Sequence, residues 1–354
     1  MKRNGSRWGS TSLGSGRAVT SPQGYWFRAP ILSCVPGSLA THPSACPICA
    51  STGGREVLCA RDHRRGMPGE FRVVECTSCR LCRTDPWPDD PGAWYPDEYP
   101  QHAAGESVTA RASRLALQRA GTAPGPVARA LGVTIPEAET GGPMRPGMRV
   151  LDVGAGTGGA VLAFRDAGHE AWGVDPSARA VEVARERGNT WVLQGSLDAL
   201  VHDGSLPDGP WDVIRMSQVL EHVPDPLATL GVIRGLLAPG GRLIVGVPNI
   251  RSLAARATRG AWDGLELPRH LVHYDRDSLR WVLALAGFRV MSLRTTPLMG
   301  VLPGSLDART AGGDRQRGWG DALPVRVLAY PVEWGLGLIG QGDGLLAVAR
   351  TSHS

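Results

Sequence analysis

From residue 148 onward the chain alternates between two hydrophobic periods. Short runs of Val, Leu, Ile and Met are followed by stretches whose apolar residues return every three or four positions. The run "MRVLDVG" predicts a buried strand of the parallel type, and "GGAVLAFRDAG" a helix after it. "HEAWGVD" predicts a second strand, and "PSARAVEVARERG" a second helix with Pro176 near its start. "TWVLQGS" and "WDVIRMSQ" read as strands three and four. "DPLATLGVIRGLLAPGG" reads as a helix stopped by Pro-Gly-Gly, and "RLIVGVPN" as strand five. "DSLRWVLALAGF" reads as a helix with Asp277 or Ser278 as N-cap and Gly287 near its end. "RVMSLRTT" and "GLLAVARTS" are two further strands. Strands alternating with helices predict a doubly wound α/β domain with a mostly parallel core. The apolar stretch "VRVLAYPVEWGLGLIGQGDG" is expected to pack on the sheet before the last strand. Arg326 and Glu333 alone do not support a membrane-surface role for it.

The first 145 residues lack this regularity. Residues 1–40 read as a disordered basic tail, 41–100 as a small zinc-ribbon-like domain, 101–145 as a helical linker or lid, and 146–354 as the α/β domain. Within the linker, 106–132 suggests one or two helices broken at Pro124–Pro126. A chain of 354 residues can hold one sizeable domain and a smaller one. The formal net charge is +5, and the first 45 residues carry Lys2, Arg3, Arg7, Arg17 and Arg28 with no acid. The body is therefore near neutral, and a nucleic-acid partner is not expected. The tail lacks the apolar core of a signal peptide, and no apolar run reaches about 18 residues, the length of a membrane span. A cytoplasmic location with reduced cysteines is the expectation.

Two cysteine pairs, "CPIC" (Cys46, Cys49) and "CTSC" (Cys76, Cys79), have the spacing of a closed four-thiolate zinc site. "EFRVVEC" reads as the strand leading into the second pair. Four sulfurs leave no open position, so the zinc is expected to be structural. Cys82 offers an overlapping pair with Cys79 and is taken as a bystander. Cys34 and Cys59 are taken as spare thiols.

The stretch "VLDVGAGTGGAVLAF" fits two ligand templates at once. Gly154, Gly156 and Gly159 match a dinucleotide fingerprint. Gly154, Gly156 and Gly158 match the turn that holds S-adenosylmethionine (SAM). Asp175, about 20 residues on at the end of strand two, suits the ribose of either ligand. Asp152 tilts the choice, because an acid beside the turn favours an ammonium and a sulfonium over a pyrophosphate.

Downstream come "SQVLEHVPDPLATL", "LLAPGGRLIVGVPN" and "PRHLVHYDRDSLRWVLALAGF". With the glycine loop these make residues 146–350 resemble class I SAM-dependent methyltransferases of the broad methyltransferase-23-like group. The resemblance implies a Rossmann-like seven-stranded sheet whose antiparallel final strand is "GLLAVAR". It implies a SAM site at Asp152, Gly154, Ala155, Gly156, Thr157, Gly158, Asp175, Pro176, Ser196, Leu197 and Ser217. Gly154, Gly156 and Gly158 would face the methionine part, Asp152 its amino group through a hydrogen-bond network, and Asp175 the ribose. Ser196 stands where many relatives carry an acid, so the adenine contact could pass to Asp198, or Ser196 could be a helix cap. Residues 76–99 also resemble the segment that follows a zinc ribbon in such enzymes, with Arg80 in place of the usual glycine.

Methyl transfer needs alignment above all, and a base only when the acceptor must lose a proton. Candidates for that role are His222, after strand four, and His270 and His273, after strand five. A metal held by His270 and His273 alone is not expected. Trp262 and Tyr274 read as pocket or core aromatics. The expected function is methyl transfer to a small-molecule acceptor such as a sugar derivative, natural product or lipid-linked precursor. An RNA methyltransferase, a SAM-binding protein without turnover and a dinucleotide oxidoreductase are the competing readings. The RNA reading is weakened by the neutral body and by the absence of an Asn/Asp-Pro-Pro-aromatic motif.

Overall fold

The apolar runs of the α/β half split by parity into two cores, one on each face of a sheet. Leu151, Val153, Ile214, Met216, Val245 and Val247 point into one core. Val150, Val213 and Ile244, from the same strands, point into the other. A period of two over strands covered on both faces produces this division. The protein is described by a computed structural model over residues 45–64, 68–87, 143–298, 300–311 and 318–352. The basic tail, Cys34 and the helices expected over 106–132 lie outside the described residues.

The sheet is built from β4 (Arg149–Val153), β5 (Glu170–Asp175), β6 (Val192–Gln194), β7 (Trp211–Ser217), β8 (Leu237–Pro248), β10 (Phe288–Thr296) and β11 (Gly344–Thr351). Its order is β10-β11-β8-β7-β4-β5-β6. β8, β7, β4, β5 and β6 run parallel, whereas β11 is antiparallel to both β8 and β10. The strand "GLLAVAR" thus takes the antiparallel place that the resemblance implied. Helices α1 (Gly159–Asp166), α2 (Ala178–Glu186), α3 (Leu197–His202) and α4 (Pro226–Leu236) make the crossovers.

Three expectations change in detail. Helix α4 ends at Leu236, before Pro239-Gly240-Gly241, and those residues belong to β8. Gly240, at φ 77°, makes the kink and β8 continues beyond it. The N-cap of α6 (Arg276–Leu285) is Asp275 rather than Asp277 or Ser278. Asp275 accepts from the Ser278 N–H at 2.8 Å and its own N–H donates to Ser278 Oγ at 2.9 Å. This reciprocal box outcompetes a cap placed further in. The third change is α8 (Leu323–Leu338), which buries Tyr330 and Glu333 but leaves Leu328, Val332 and Leu338 exposed.

The cysteine-bearing half is a ribbon of β1 (Gly54–Ala60), β2 (Phe71–Cys76) and β3 (Cys82–Asp85). The ribbon does not end on itself. β3 pairs with β9 (Val272–His273), a two-residue strand of the α/β half, placing Cys82 opposite His273. Cys46, Cys76 and Leu81 join the larger of the two cores described above. Phe71 and Val73 pack with Trp262, Leu265 and Leu267. The ribbon is therefore bonded to the segment where His270 and His273 lie.

Candidate active site and cysteine cluster

The glycine loop runs from the end of β4 into α1. Gly154, Gly156 and Gly158 take φ of 71°, 54° and 73°, a region closed to most side chains. A Cβ on Gly154 would lie 2.3 Å from Val219, and one on Gly158 2.2 Å from Asn189 Nδ2. Gly158 caps α1 without a side chain, so no side-chain oxygen takes the first-turn N–H groups. Such a terminus suits a polar ligand. Asp175 ends β5 and grips the loop: its Oδ2 accepts from the Gly156 N–H at 2.7 Å and its Oδ1 from the Ser177 N–H at 2.9 Å.

The remaining loop-side residues fall around this turn. Ala155 packs beside Gly173 of β5, and Thr157 Oγ1 accepts from Arg187 at 3.1 Å. Pro176 links β5 to α2, whose N-cap is Ser177. Ser196 is the N-cap of α3, accepting from the Ala199 N–H at 3.3 Å, and Leu197 behind it is buried. Ser217 closes β7 opposite Gly246. Asp152 is buried and pairs with Arg215 of β7, in register with it, at 2.8 Å. Any route from Asp152 to a ligand therefore involves that ion pair.

After β7, Gln218 at φ 58° turns the chain so that Val219 covers Gly154. A single 3₁₀ turn, Leu220–His222, follows directly. Its Glu221 and His222 meet His270, their ligand atoms all within 4.8 Å of one another. The His222 and His270 rings stack edge to face with centroids 4.6 Å apart. His222 Nδ1 donates to the Arg269 carbonyl at 2.9 Å, and His270 Nδ1 to the Gly264 carbonyl at 3.0 Å. Glu221 is buried, and neither of its oxygens has a hydrogen-bond partner among the described residues. Burial pushes the Glu221 carboxyl up to about 7. Burial, with the nearby His270 charge, pushes His222 down to about 3. Burial alone would raise Glu266, but its contact with His270 and the Arg64 and Arg269 charges hold it well below the usual carboxylate range.

His273 lies apart from this trio. Its Nε2 is 3.0 Å from Thr84 Oγ1, whose own proton goes to the His270 carbonyl at 2.5 Å. Since that hydroxyl has donated elsewhere, His273 is the donor to it. Burial pushes His273 down to about 3. Trp262 donates to Asp343 at 3.0 Å, and both Trp262 and Tyr274 are buried, as core aromatics should be.

Sequence reasoning did not find what holds the histidine segment. Asp62, His63 and Arg64, just after β1, each grip one residue of 263–269. Asp62 forks onto Arg269 at 2.8 and 3.2 Å, His63 meets Asp263 at 3.0 Å, and Arg64 reaches Glu266 at 3.5 Å. The partners stand about 200 positions away along the chain, as the separations of 207, 200 and 202 show. No local pattern marks such pairs.

The four ribbon thiols converge as their spacing predicts. Cys46 and Cys79 Sγ lie 3.4 Å apart and Cys49 and Cys76 Sγ 3.6 Å apart, with all four within 4.8 Å. Tetrahedral zinc with Zn–S near 2.3 Å sets sulfurs about 3.8 Å apart, so the donor set and its spacing fit that ion. Cys82 is buried on β3, outside the cluster. Cys59, read as a spare thiol, is disulfide-bonded.

Comparison with known proteins finds relatives of the α/β half. A family described as "Methyltransferase domain" matches residues 127–293. Ubiquinone biosynthesis O-methyltransferase of Xanthomonas campestris is 33% identical over 165 residues, covering 44% of this chain and 67% of that protein. An uncharacterized 37.1 kDa protein in transposon TN4556 of Streptomyces fradiae is 38% identical over 113 residues, 31% of this chain and 32% of that protein. Among solved structures, a SAM-dependent methyltransferase from Archaeoglobus fulgidus aligns with a TM-score of 0.39 at 21% identity, over 60% of this chain and 87% of that one.

Proposed function

Because this chain belongs to the SAM-dependent methyltransferases, we propose that it methylates a hydroxyl oxygen of a small-molecule acceptor bound against Glu221, His222 and His270. The observation that carries the reading is where this trio lies. The turn 220–222 leaves the C-terminal end of β7 beside the glycine loop, with Val219 over Gly154. Ligands of open α/β sheets bind at that edge. The hydroxyl acceptor class is supported by the relative in ubiquinone biosynthesis, an O-methyltransferase.

SAM supplies a methyl group already activated on a sulfonium sulfur. On this reading Gly154, Gly156 and Gly158 would face its methionine part and Asp175 would accept from the ribose hydroxyls. His222 takes the acceptor's proton: its Nδ1 donates to the Arg269 carbonyl, so the basic nitrogen of this tautomer is Nε2. As the new carbon–oxygen bond forms, the electron pair of the broken carbon–sulfur bond stays with sulfur. His270 fixes the His222 ring edge to face, and Thr84, bonded to the His270 carbonyl and the His273 ring, fixes the segment that carries His270. On this reading His222 and His270 serve at the acceptor and His273 is a positioning residue.

The four ribbon thiolates are proposed to hold one structural zinc through Cys46, Cys49, Cys76 and Cys79. The ribbon has too little core to stand alone without such a staple.

Incubation with methyl-labelled SAM and a panel of catechols, phenols and sugar derivatives tests the assignment. Label should appear as an ether methyl. His222→Ala should lower kcat by about 10²-fold or more, the scale of a lost general base, with SAM affinity unchanged. Label only on nitrogen or carbon acceptors would remove the hydroxyl assignment. Asp175→Ala should weaken SAM binding by at least about 1–3 kcal/mol, the worth of a charge-assisted hydrogen bond. Unchanged affinity by calorimetry would mean the ribose lies elsewhere.

A further inference from the structure

We propose that Glu221, His222 and His270 bind a divalent transition-metal cation beside the methyl-transfer site. The proposal rests on reading this trio as the acceptor end of the cleft, and it deepens that reading.

Three independent features point to a cation. The first is an orphaned charge. Glu221 is 1% exposed, and both its oxygens lack a hydrogen-bond partner among the described residues. Its ion-pair contact with His270 Nε2 is long, at 4.0 Å. A carboxylate taken out of water with nothing to bond costs several kcal/mol, and a cation removes that cost. The second feature is ring orientation. Both imidazoles donate through Nδ1 to a backbone carbonyl, Arg269 for His222 and Gly264 for His270. That outer hydrogen bond fixes the tautomer whose Nε2 can ligate, the arrangement found behind metal-binding histidines. The third is the donor set: one carboxylate and two imidazoles within 4.8 Å of one another. Three protein ligands of this kind leave open positions for an incoming oxygen. Glu266 Oε2, 3.3 Å from His270 Nε2, is a fourth oxygen within reach.

The sequence does not suggest the site, because a metal held by His270 and His273 alone is not expected. The fold turns His273 to Thr84 and gives His270 a partner 48 positions back. The ligand class follows from softness. Thiolates are absent from this trio, so Mn²⁺, Fe²⁺, Co²⁺ and Zn²⁺ fit it, whereas the all-sulfur ribbon selects zinc. A cation here would bind the acceptor oxygen and favour loss of its proton to water before the methyl arrives. His222 would then hold the cation, and its role as base would apply to the cation-free protein.

Metal counting without SAM or acceptor tests this separately from the acceptor assignment. Zinc-loaded full-length protein is dialysed against low-micromolar Mn²⁺ or Zn²⁺, and metals are counted by mass spectrometry. Wild type should carry about one ion more per chain than Glu221→Gln or His222→Ala, which should keep only the ribbon metal. Equal counts in all three, with either ion, would overturn the proposal. Should a variant fail to fold, cobalt titration of wild type decides. A second Co²⁺ whose bands lack thiolate charge transfer supports the site, and thiolate-bound cobalt alone refutes it. Retained label transfer with equal metal counts would leave the acceptor assignment standing and this one fallen.

Discussion

Replacing Cys76 by Ser is expected to abolish the zinc binding proposed for the ribbon and most of the methyl transfer, with SAM binding kept. Cys76 is fully buried, one of the four clustered thiols and the last residue of β2. Structural zinc sites in small domains contribute about 10–16 kcal/mol of apparent binding free energy, far more than a three-stranded ribbon gains from its own core. Loss of the metal therefore loosens β1 to β3. The consequence spreads because β3 pairs with β9 and Thr84 bonds both the His270 carbonyl and the His273 ring. The glycine loop and Asp175 sit on β4 and β5, which the ribbon does not pair with. Zinc content, labelled-methyl transfer and SAM calorimetry on the variant check this together. A zinc-free variant with full transfer would show that the ribbon is not a brace for the acceptor side.

Asp62→Ala will destabilise the protein by about 3–5 kcal/mol, the usual cost of removing one member of a buried ion pair. The Asp62 and Arg269 side chains are 1% and 0% exposed. Without that carboxylate, a guanidinium shut off from water loses two of its hydrogen bonds, at 2.8 and 3.2 Å. The same residue's carbonyl holds His222 Nδ1, so kcat should fall as well. Urea unfolding and steady-state kinetics measure the two effects. Arg61→Ala is the control: its ion pair with Glu70 is exposed on the arginine side, and pairs of that kind contribute about 0–1 kcal/mol. Similar losses for both variants would mean that the ribbon is uniformly fragile and that Asp62 has no special place.

What could be read from the sequence divides along contact distance. The parallel strands were legible because Leu151, Val153, Ile214 and Met216 are apolar for a local reason, burial on both faces of one sheet. The glycine loop and the cysteine pairs were legible because their spacing is itself the geometry. Strands β1, β3 and β9 were not, since β9 is two residues long and its ladder partner lies about 190 positions away. The trio of Glu221, His222 and His270 was half legible. Glu221 and His222 are adjacent, but only the fold decides which later histidine meets them. Asp62, His63 and Arg64 gave no signal, because a polar triplet after a strand reads as a turn. Helix α8 misled in the other direction: Leu328, Val332 and Leu338 form an apolar period that the described fold leaves exposed.

A crystal structure with S-adenosylhomocysteine bound tests the central claim most directly. Ribose hydroxyls should lie on the Asp175 carboxylate, the amino-acid part along Gly154–Gly158, and the sulfur should open toward His222 and His270. Sulfur facing away from that trio, or an adenosyl group bound elsewhere, would contradict the placement of both the donor and the acceptor.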